Sequence, residues 1–303
     1  MLAEKTYPLE KQTTFTSKIV DYAHFMKLRL ASLVVFSAAI GFVIGCHVAN
    51  IPFSWEKLGL LILGGFLVTG SSNGFNQIIE CDLDKLMTRT AMRPLPQGRM
   101  STTEALLIAA IMGFTGIIIL WVYMNPMSGI LGALALLLYT MAYTPLKRKT
   151  PFAVFVGAFP GAIPPMLGFV ATTSGFGEIG FYASLLFFVQ FMLQFPHFWA
   201  IAWVLDDDYK KAGFLMLPSG KRDKASAFQV LVYTLFLLPI SLTPVFFKMS
   251  GSISAIIILI CGILFLWQAY NLYKECSVKA AKQLMFGSFA YLPLVQLAIM
   301  IGK

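Results

Sequence analysis

Residues 103–145 read TEALLIAAIMGFTGIIILWVYMNPMSGILGALALLLYTMAYTP. Two apolar runs, about 103–124 and 127–145, are parted by Asn125 and Pro126, and each is long enough to cross a hydrocarbon core of about 30 Å as a helix. Outward from this pair, seven more such runs lie at about 30–48, 57–80, 152–173, 180–205, 226–247, 252–273 and 283–301. None shows the ten-residue alternation of a barrel strand. The fold class predicted is therefore all-α, a polytopic membrane protein with nine transmembrane helices. Whole-chain numbers agree: of 303 residues, 58% are hydrophobic and 12% charged, and the mean hydropathy is +0.76. A soluble domain would carry roughly a quarter charged residues. Disorder, collagen-like repeats and a disulfide-stapled module are excluded by the same composition. Cys46, Cys81, Cys261 and Cys276 stand far apart without a CxxC pair, which argues against zinc and a disulfide framework.

The formal charge is +9, but the basic residues are scattered between apolar runs and form no stripe for nucleic acid. Their placement is a topology signal. Taking alternate connecting segments, 20 of the 23 Lys and Arg fall on one side and only Lys57, Lys248 and Lys303 on the other. The positive-inside rule then puts the N-terminus in the cytoplasm and the C-terminus outside, in the periplasm of a bacterial inner membrane, since no organelle transit peptide is apparent. Residues 1–29, with Glu4, Glu10 and Asp21, are not a removable signal peptide and read as a cytoplasmic, interfacial lead-in. Residues 30–303 form one nine-helix transmembrane domain. Lipid is the surrounding partner.

Acids cluster at two helix ends: Glu80, Asp82 and Asp84 after the second run, and Asp206, Asp207 and Asp208 after the sixth. An acid-then-base loop recurring after four helices points to two pseudo-repeat halves, each donating one loop to a shared site. The first loop, SSNGFNQIIECDLDKLMTRTAMRPLPQGRMS at 71–101, places Asn73, Asn76, Glu80 and Asp84 at spacings of 3, 4 and 4, on one helical face. Oxygen ligands at that reach suit Mg²⁺. Arg89 and Arg93 follow, guanidinium forks that could grip a phosphate from the other side. A helix end solvated in a cytoplasmic loop is the bland alternative, but it does not explain two Asn and one Glu on a single stripe inside an apolar run. In the second loop, FPHFWAIAWVLDDDYKKAGFLMLPSGKRDK at 195–224, three acids precede Lys210 and Lys211, and two carboxylate walls on one membrane face fit a diphosphate bridged by Mg²⁺. Tyr143 and Lys147 stand four apart in YTPLKRKTP at 143–151. Lys147 reads either as a point charge for phosphate or as a positive-inside anchor, the role given to Arg148 and Lys149. His197 lies roughly 13 Å of helical rise before the first acid of the second loop, too deep for the diphosphate. It is a packing residue or a group that meets an apolar acceptor. The Gly- and Pro-rich VGAFPGAIPPMLGF at 156–169 breaks its helix where the backbone packs on protein or lines a cavity.

The run N-x-x-x-E-x-D-x-D-x-x-M-x-R-T-x-x-R-P-L-P-x-G from Asn76 to Gly98, followed in order by YTPLKRKTP, GAFPGAIPPMLG, PHFW and DDYKKAG, resembles the haem O synthases. These are protohaem IX farnesyltransferases of the UbiA-type intramembrane prenyltransferase superfamily. The resemblance spans about residues 20–220. It implies nine helices around a central cavity and transfer of a farnesyl group from farnesyl diphosphate to a vinyl group of haem b, with addition of water, giving haem O and diphosphate. It implies Mg²⁺ as cofactor, held by Asn76, Glu80 and Asp84 in the first motif and by Asp207 and Asp208 in the second. Arg89, Arg93, Tyr143 and Lys147 match its catalytic positions, and His197 its haem-side histidine. A haem A synthase or a terminal oxidase in assembly is the protein partner it brings into view. Two positions depart from the family: Asp206 stands where a basic residue is frequent, and Leu215 where a Pro is expected. Two other functions share some of these features. A prenyltransferase acting on an aromatic quinone precursor would use the same metal site with another acceptor pocket. A transporter of phosphorylated solutes would need broken helices and intramembrane polar groups, but not two acid clusters at one face.

Overall fold

The computed structural model describes residues 15–302. Lys5, Lys11 and Lys303, which entered the charge reading above, and Glu4 and Glu10 of the lead-in lie outside them. Among the described residues there is no strand, and nine helices are long and apolar enough to cross a membrane, as the apolar runs predict. In chain order the helices are α1 (Phe15–Met26), α2 (Leu28–Ala49), α3 (Trp55–Ile79), the single turn α4 (Cys81–Asp84), α5 (Thr102–Ile119) and α6 (Pro126–Leu137). The short α7 (Thr144–Leu146), α8 (Ala153–Val170), α9 (Phe181–Lys211), α10 (Lys224–Phe246), α11 (Ser252–Glu275) and α12 (Val278–Ile301) complete the chain. Wider π turns extend α5 over Leu120–Met124 and α6 over Leu138–Tyr143.

Local chemistry explains where these helices begin. Ser54, Ser101, Asn125, Asp223 and Ser277 each accept a hydrogen bond from the backbone N–H three residues on, which satisfies one of the orphan donors of a helix start. Helix pairing follows the rule for bilayers, where small residues let backbones approach. At the α2–α8 crossing, Gly168 lies directly on the Ala38 carbonyl and Gly41 on the Pro165 carbonyl, leaving no room for a Cβ at either. The outer surface carries large apolar side chains, among them Phe114, Met141, Phe246 and Trp267. A belt of this extent belongs against lipid.

At one end of the bundle α1 lies on the protein itself. Asp21 pairs with Arg99 at 3.0 Å, Lys18 with Glu104 at 3.1 Å, and Phe25 is fully buried beside Gly74. The described part of the lead-in expected over residues 1–29 is thus a docked helix, with Phe25 buried, Tyr22 partly buried and His24 exposed. The same end gathers the 80–101 and 147–152 segments, the last turns of α9 from Asp206 and the 212–223 loop. Beneath them α2, α3, α6, α8, α9 and α12 surround a cavity of about 280 Å³, mostly apolar in lining.

Candidate active site

The polar stripe of α3 survives the helix end because the chain keeps helical hydrogen bonding through it. Glu80 N–H donates to Asn76 O at 3.0 Å and Asp84 N–H to Glu80 O at 2.8 Å, although Glu80 itself departs from helical geometry. Asn76, Glu80 and Asp84 therefore remain stacked, and all three are buried. Each carries a partner. Arg93 holds Asp84 Oδ2 at 2.6 Å, and Lys147 holds Glu80 Oε1 at 2.8 Å. Asn76 accepts from Lys27 Nζ at 3.2 Å and donates to Thr144 Oγ1 at 3.3 Å. Asp84 Oδ1 is buried with no partner among the described residues, an acceptor open to a cation or donor.

Asn73 serves the frame. Its amide donates to Met26 O at 3.1 Å and that of Gln77 to Phe25 O at 2.6 Å, so the two collect carbonyls left open at the end of α1. Between α1 and α2, Lys27 adopts a left-handed conformation with φ 52° and ψ 58°. For a residue with a Cβ this costs about 1–2 kcal/mol. The turn aims the ammonium at Asn76. Desolvation by burial, aided by the positive charges of Arg93 and Lys147, pushes the Lys27 ammonium down to about 7 against the opposing pull of Glu80 and Asp84. Sequence reasoning counted Lys27 only as a topology charge. Its signal, a lone Lys beside the first helix, does not separate from those of the anchors.

Lys147 is placed by the π turn that ends α6. Thr144 Oγ1 donates to Tyr139 O at 2.7 Å there, and the Lys147 Nζ lies 4.7 Å from the Tyr143 ring centre and 5.6 Å from that of Phe214. Leu215 N–H donates to Lys147 O at 2.7 Å, a bond that a Pro at this position could not make. Arg148 and Lys149 point outward, as anchors do. The second acid run is not in a loop, as the sixth apolar run ending near 205 predicts, but on the last turns of α9, and it meets the first acidic loop through Asp208, which accepts the backbone N–H groups of Thr88 and Arg89 at 3.1 Å each and the Lys211 ammonium at 2.8 Å. Arg89 is exposed beside it. Asp207 is turned outward onto Arg222 at 3.0 Å, with 79% of its side chain exposed. Buried Asp206 pairs with Lys210 at 2.7 Å. Among the described residues no three His, Cys, Asp or Glu side chains converge as a ready metal centre, and these acids are instead paired with cations of the chain. The oxygen donors and the open Asp84 Oδ1 nevertheless fit a hard cation such as Mg²⁺.

Below this charged mouth, His197 lines the cavity, its Nδ1 2.8 Å from Ser288 Oγ and its ring 5.3 Å from that of Phe289. Sequence reasoning missed two neighbours on the same face of α9, Gln190 and Gln194. The pattern Q-x-x-x-Q-x-x-H in an apolar helix is a stripe of the kind recognised on α3 and would have found them.

Comparison with known proteins agrees with this geometry. The model of the UbiA prenyltransferase family matches residues 34–292. This chain belongs to that family. Among UbiA relatives, the protoheme IX farnesyltransferase of Cytophaga hutchinsonii is 49% identical over 288 residues, covering 95% of this chain and 99% of its own. That of Flavobacterium psychrophilum is 48% identical, covering 93% and 94%. Among solved UbiA-like folds, a digeranylgeranylglyceryl phosphate synthase has a TM-score of 0.77 at 22% identity, covering 94% of this chain and 98% of its own. A UbiA homologue from Archaeoglobus fulgidus, bound to GPP and Mg²⁺, has a TM-score of 0.65 at 15% identity, covering 93% and 100%. The UbiA fold, a multi-pass membrane bundle, is that of this chain.

Proposed function

We propose that this protein transfers a farnesyl group from farnesyl diphosphate to a vinyl group of haem b, with addition of water, giving haem O and diphosphate. The observation that carries this reading is the stacking of a mouth of paired acids and bases directly on an apolar cavity, in a chain with close full-length relatives named protoheme IX farnesyltransferase. The twenty-to-three bias of basic residues supports a bacterial inner membrane with this mouth and the N-terminus on the cytoplasmic side.

Asn76, Glu80 and Asp84 would hold Mg²⁺, joined from the second loop by Asp208 and, once it leaves Arg222, by Asp207. Charge stabilisation on the departing diphosphate is the chemistry Mg²⁺ supplies when bound. Around it the chain's own cations act. Arg93 and Lys147, now neutralised by Asp84 and Glu80, turn to phosphate oxygens as those acids gain other partners, and Lys27 and Arg89 add positive charge from the rim. The Tyr143 ring braces the Lys147 ammonium. The preorganised charges favour the leaving diphosphate over the intact ester, which lowers the barrier to breaking the allylic C–O bond. Apolar walls of the cavity keep bulk water from the cation so formed. His197 lies at the depth of the acceptor and would contact the haem face.

Mass spectrometry of haem extracted from cells expressing the protein tests the reading. Haem carrying a hydroxyethylfarnesyl group is expected. A prenylated quinone precursor with unchanged haem would overturn it.

A further inference from the structure

The cavity wall opposite α3 carries a polar ladder that the metal and phosphate chemistry does not use. Its origin is in α8. Pro165 has no N–H to return to the carbonyl of Gly161, four residues earlier, so that carbonyl is released from the helix. Gln190 and Gln194 of α9 both take it, each donating from Nε2 at 3.1 Å. Because a carbonyl can only accept, these bonds fix the orientation of both amides. The Gln190 Oε1 then accepts from Gln296 Nε2 at 3.1 Å, and the same Gln296 amide donates to Ser37 Oγ at 2.6 Å. The Gln194 Oε1 has no partner among the described residues, and Gln194 lines the cavity. One turn on, Ser288 Oγ donates its hydrogen to Met285 O at 2.6 Å, so it must accept from His197 Nδ1. The Nδ1–H tautomer is thereby set, and Nε2 carries a free lone pair with no protein partner among the described residues.

We infer that Gln194 Oε1 and His197 Nε2 hold the water that adds to the prenylated acceptor. This rests on the haem-farnesylation reading above. The two groups stand three residues apart on one face of α9, where side chains are neighbours. Both are acceptors. A water between them donates both of its hydrogens and leaves its oxygen lone pairs directed at the substrate, the orientation a nucleophile needs. The vinyl π pair forms the new C–C bond to C1 of the farnesyl cation, leaving positive charge on the vinyl carbon next to the macrocycle. The water oxygen closes on that carbon, its proton passes to His197 Nε2, and the proton is lost to solvent as the product leaves. Without a held water, the same cation sheds a proton from the adjacent CH₂ and becomes an alkene, a product lighter by one water. Gln194 is thus a product-determining residue.

The test is the ratio of alkene to alcohol among farnesylated haems made by purified protein in lipid nanodiscs with haem b, farnesyl diphosphate and Mg²⁺. Gln194→Met keeps the volume and removes the acceptor, while Gln190 still satisfies the Gly161 carbonyl. The alkene fraction should rise roughly tenfold, with farnesyl diphosphate binding unchanged. Gly161→Ala keeps every polar group but places a Cβ 2.7 Å from Gln194 Cδ, so it should displace the amide and shift the ratio the same way. A wild-type ratio in both variants would overturn the inference. So would loss of all farnesylated product in both with diphosphate binding retained, since Gln194 would then act before the C–C bond forms. If the wild-type protein itself makes no farnesylated haem, the underlying reading fails instead.

Discussion

Asp84 is fully buried, with one oxygen on Arg93 and the other without a partner among the described residues. Asp84→Asn keeps the shape, removes the charge and leaves the Arg93 guanidinium uncompensated, so turnover should fall at least about a hundredfold, or roughly 2.7 kcal/mol of barrier. Near-normal product formation at limiting Mg²⁺ would show that the first acidic wall has been misassigned. Arg93→Lys keeps the charge but loses the planar fork and should impair farnesyl diphosphate use, whereas Lys149→Gln, on an exposed anchor, should be nearly silent. Equal effects would reduce both to topology signals. Lys27 separates stability from function. Lys27→Gly suits the left-handed backbone, so the Tm in detergent should not fall, while affinity for farnesyl diphosphate should drop by about tenfold. Parallel losses of Tm and affinity would make Lys27 a structural residue.

Among the elements, the α2–α8 crossing is the least forgiving. Gly168→Ala drives a Cβ into the Ala38 carbonyl and should cost about 1–3 kcal/mol, read as a lower Tm. Gly59→Ala on α3, with nothing within 4 Å, should leave the Tm equal or higher. Equal losses would mean that helix propensity, not contact, governs both. The nine spans were legible because twenty apolar residues in a row have one physical solution in lipid, and the α3 stripe because helical spacing continues through Glu80. The pairing of each acid with a particular base was not. Arg93 reaches Asp84 along nine residues of loop, and Lys147 reaches Glu80 from the turn after α7, 67 residues on. Arg222 takes Asp207 from fifteen residues away, which no local pattern encodes. Lys27 escaped notice because its value lies in a backbone turn that the sequence does not spell.

Across the whole molecule, charge and depth are ordered along a single axis. The loops bearing Lys85, Arg89, Arg93, Lys147 and Arg222, with Lys210 on the last turn of α9, close over one end, and the opposite end is joined by nearly uncharged contacts such as Asn125 to the Val170 carbonyl and Gly251 to the Gly302 carbonyl. On the function proposed above, a water-soluble diphosphate would meet the protein at this charged face, with its apolar tail and the acceptor in the apolar cavity below. Such polarity requires that insertion put this face in the compartment that supplies the diphosphate. In protein with its four cysteines replaced by Ser, Lys149→Cys marks the charged face and Glu178→Cys, on the exposed 171–180 connection, the other. A membrane-impermeant maleimide applied to spheroplasts should label Glu178→Cys and reach Lys149→Cys only after lysis. Labelling of Lys149→Cys on sealed spheroplasts would invert the orientation and put the charged face outside.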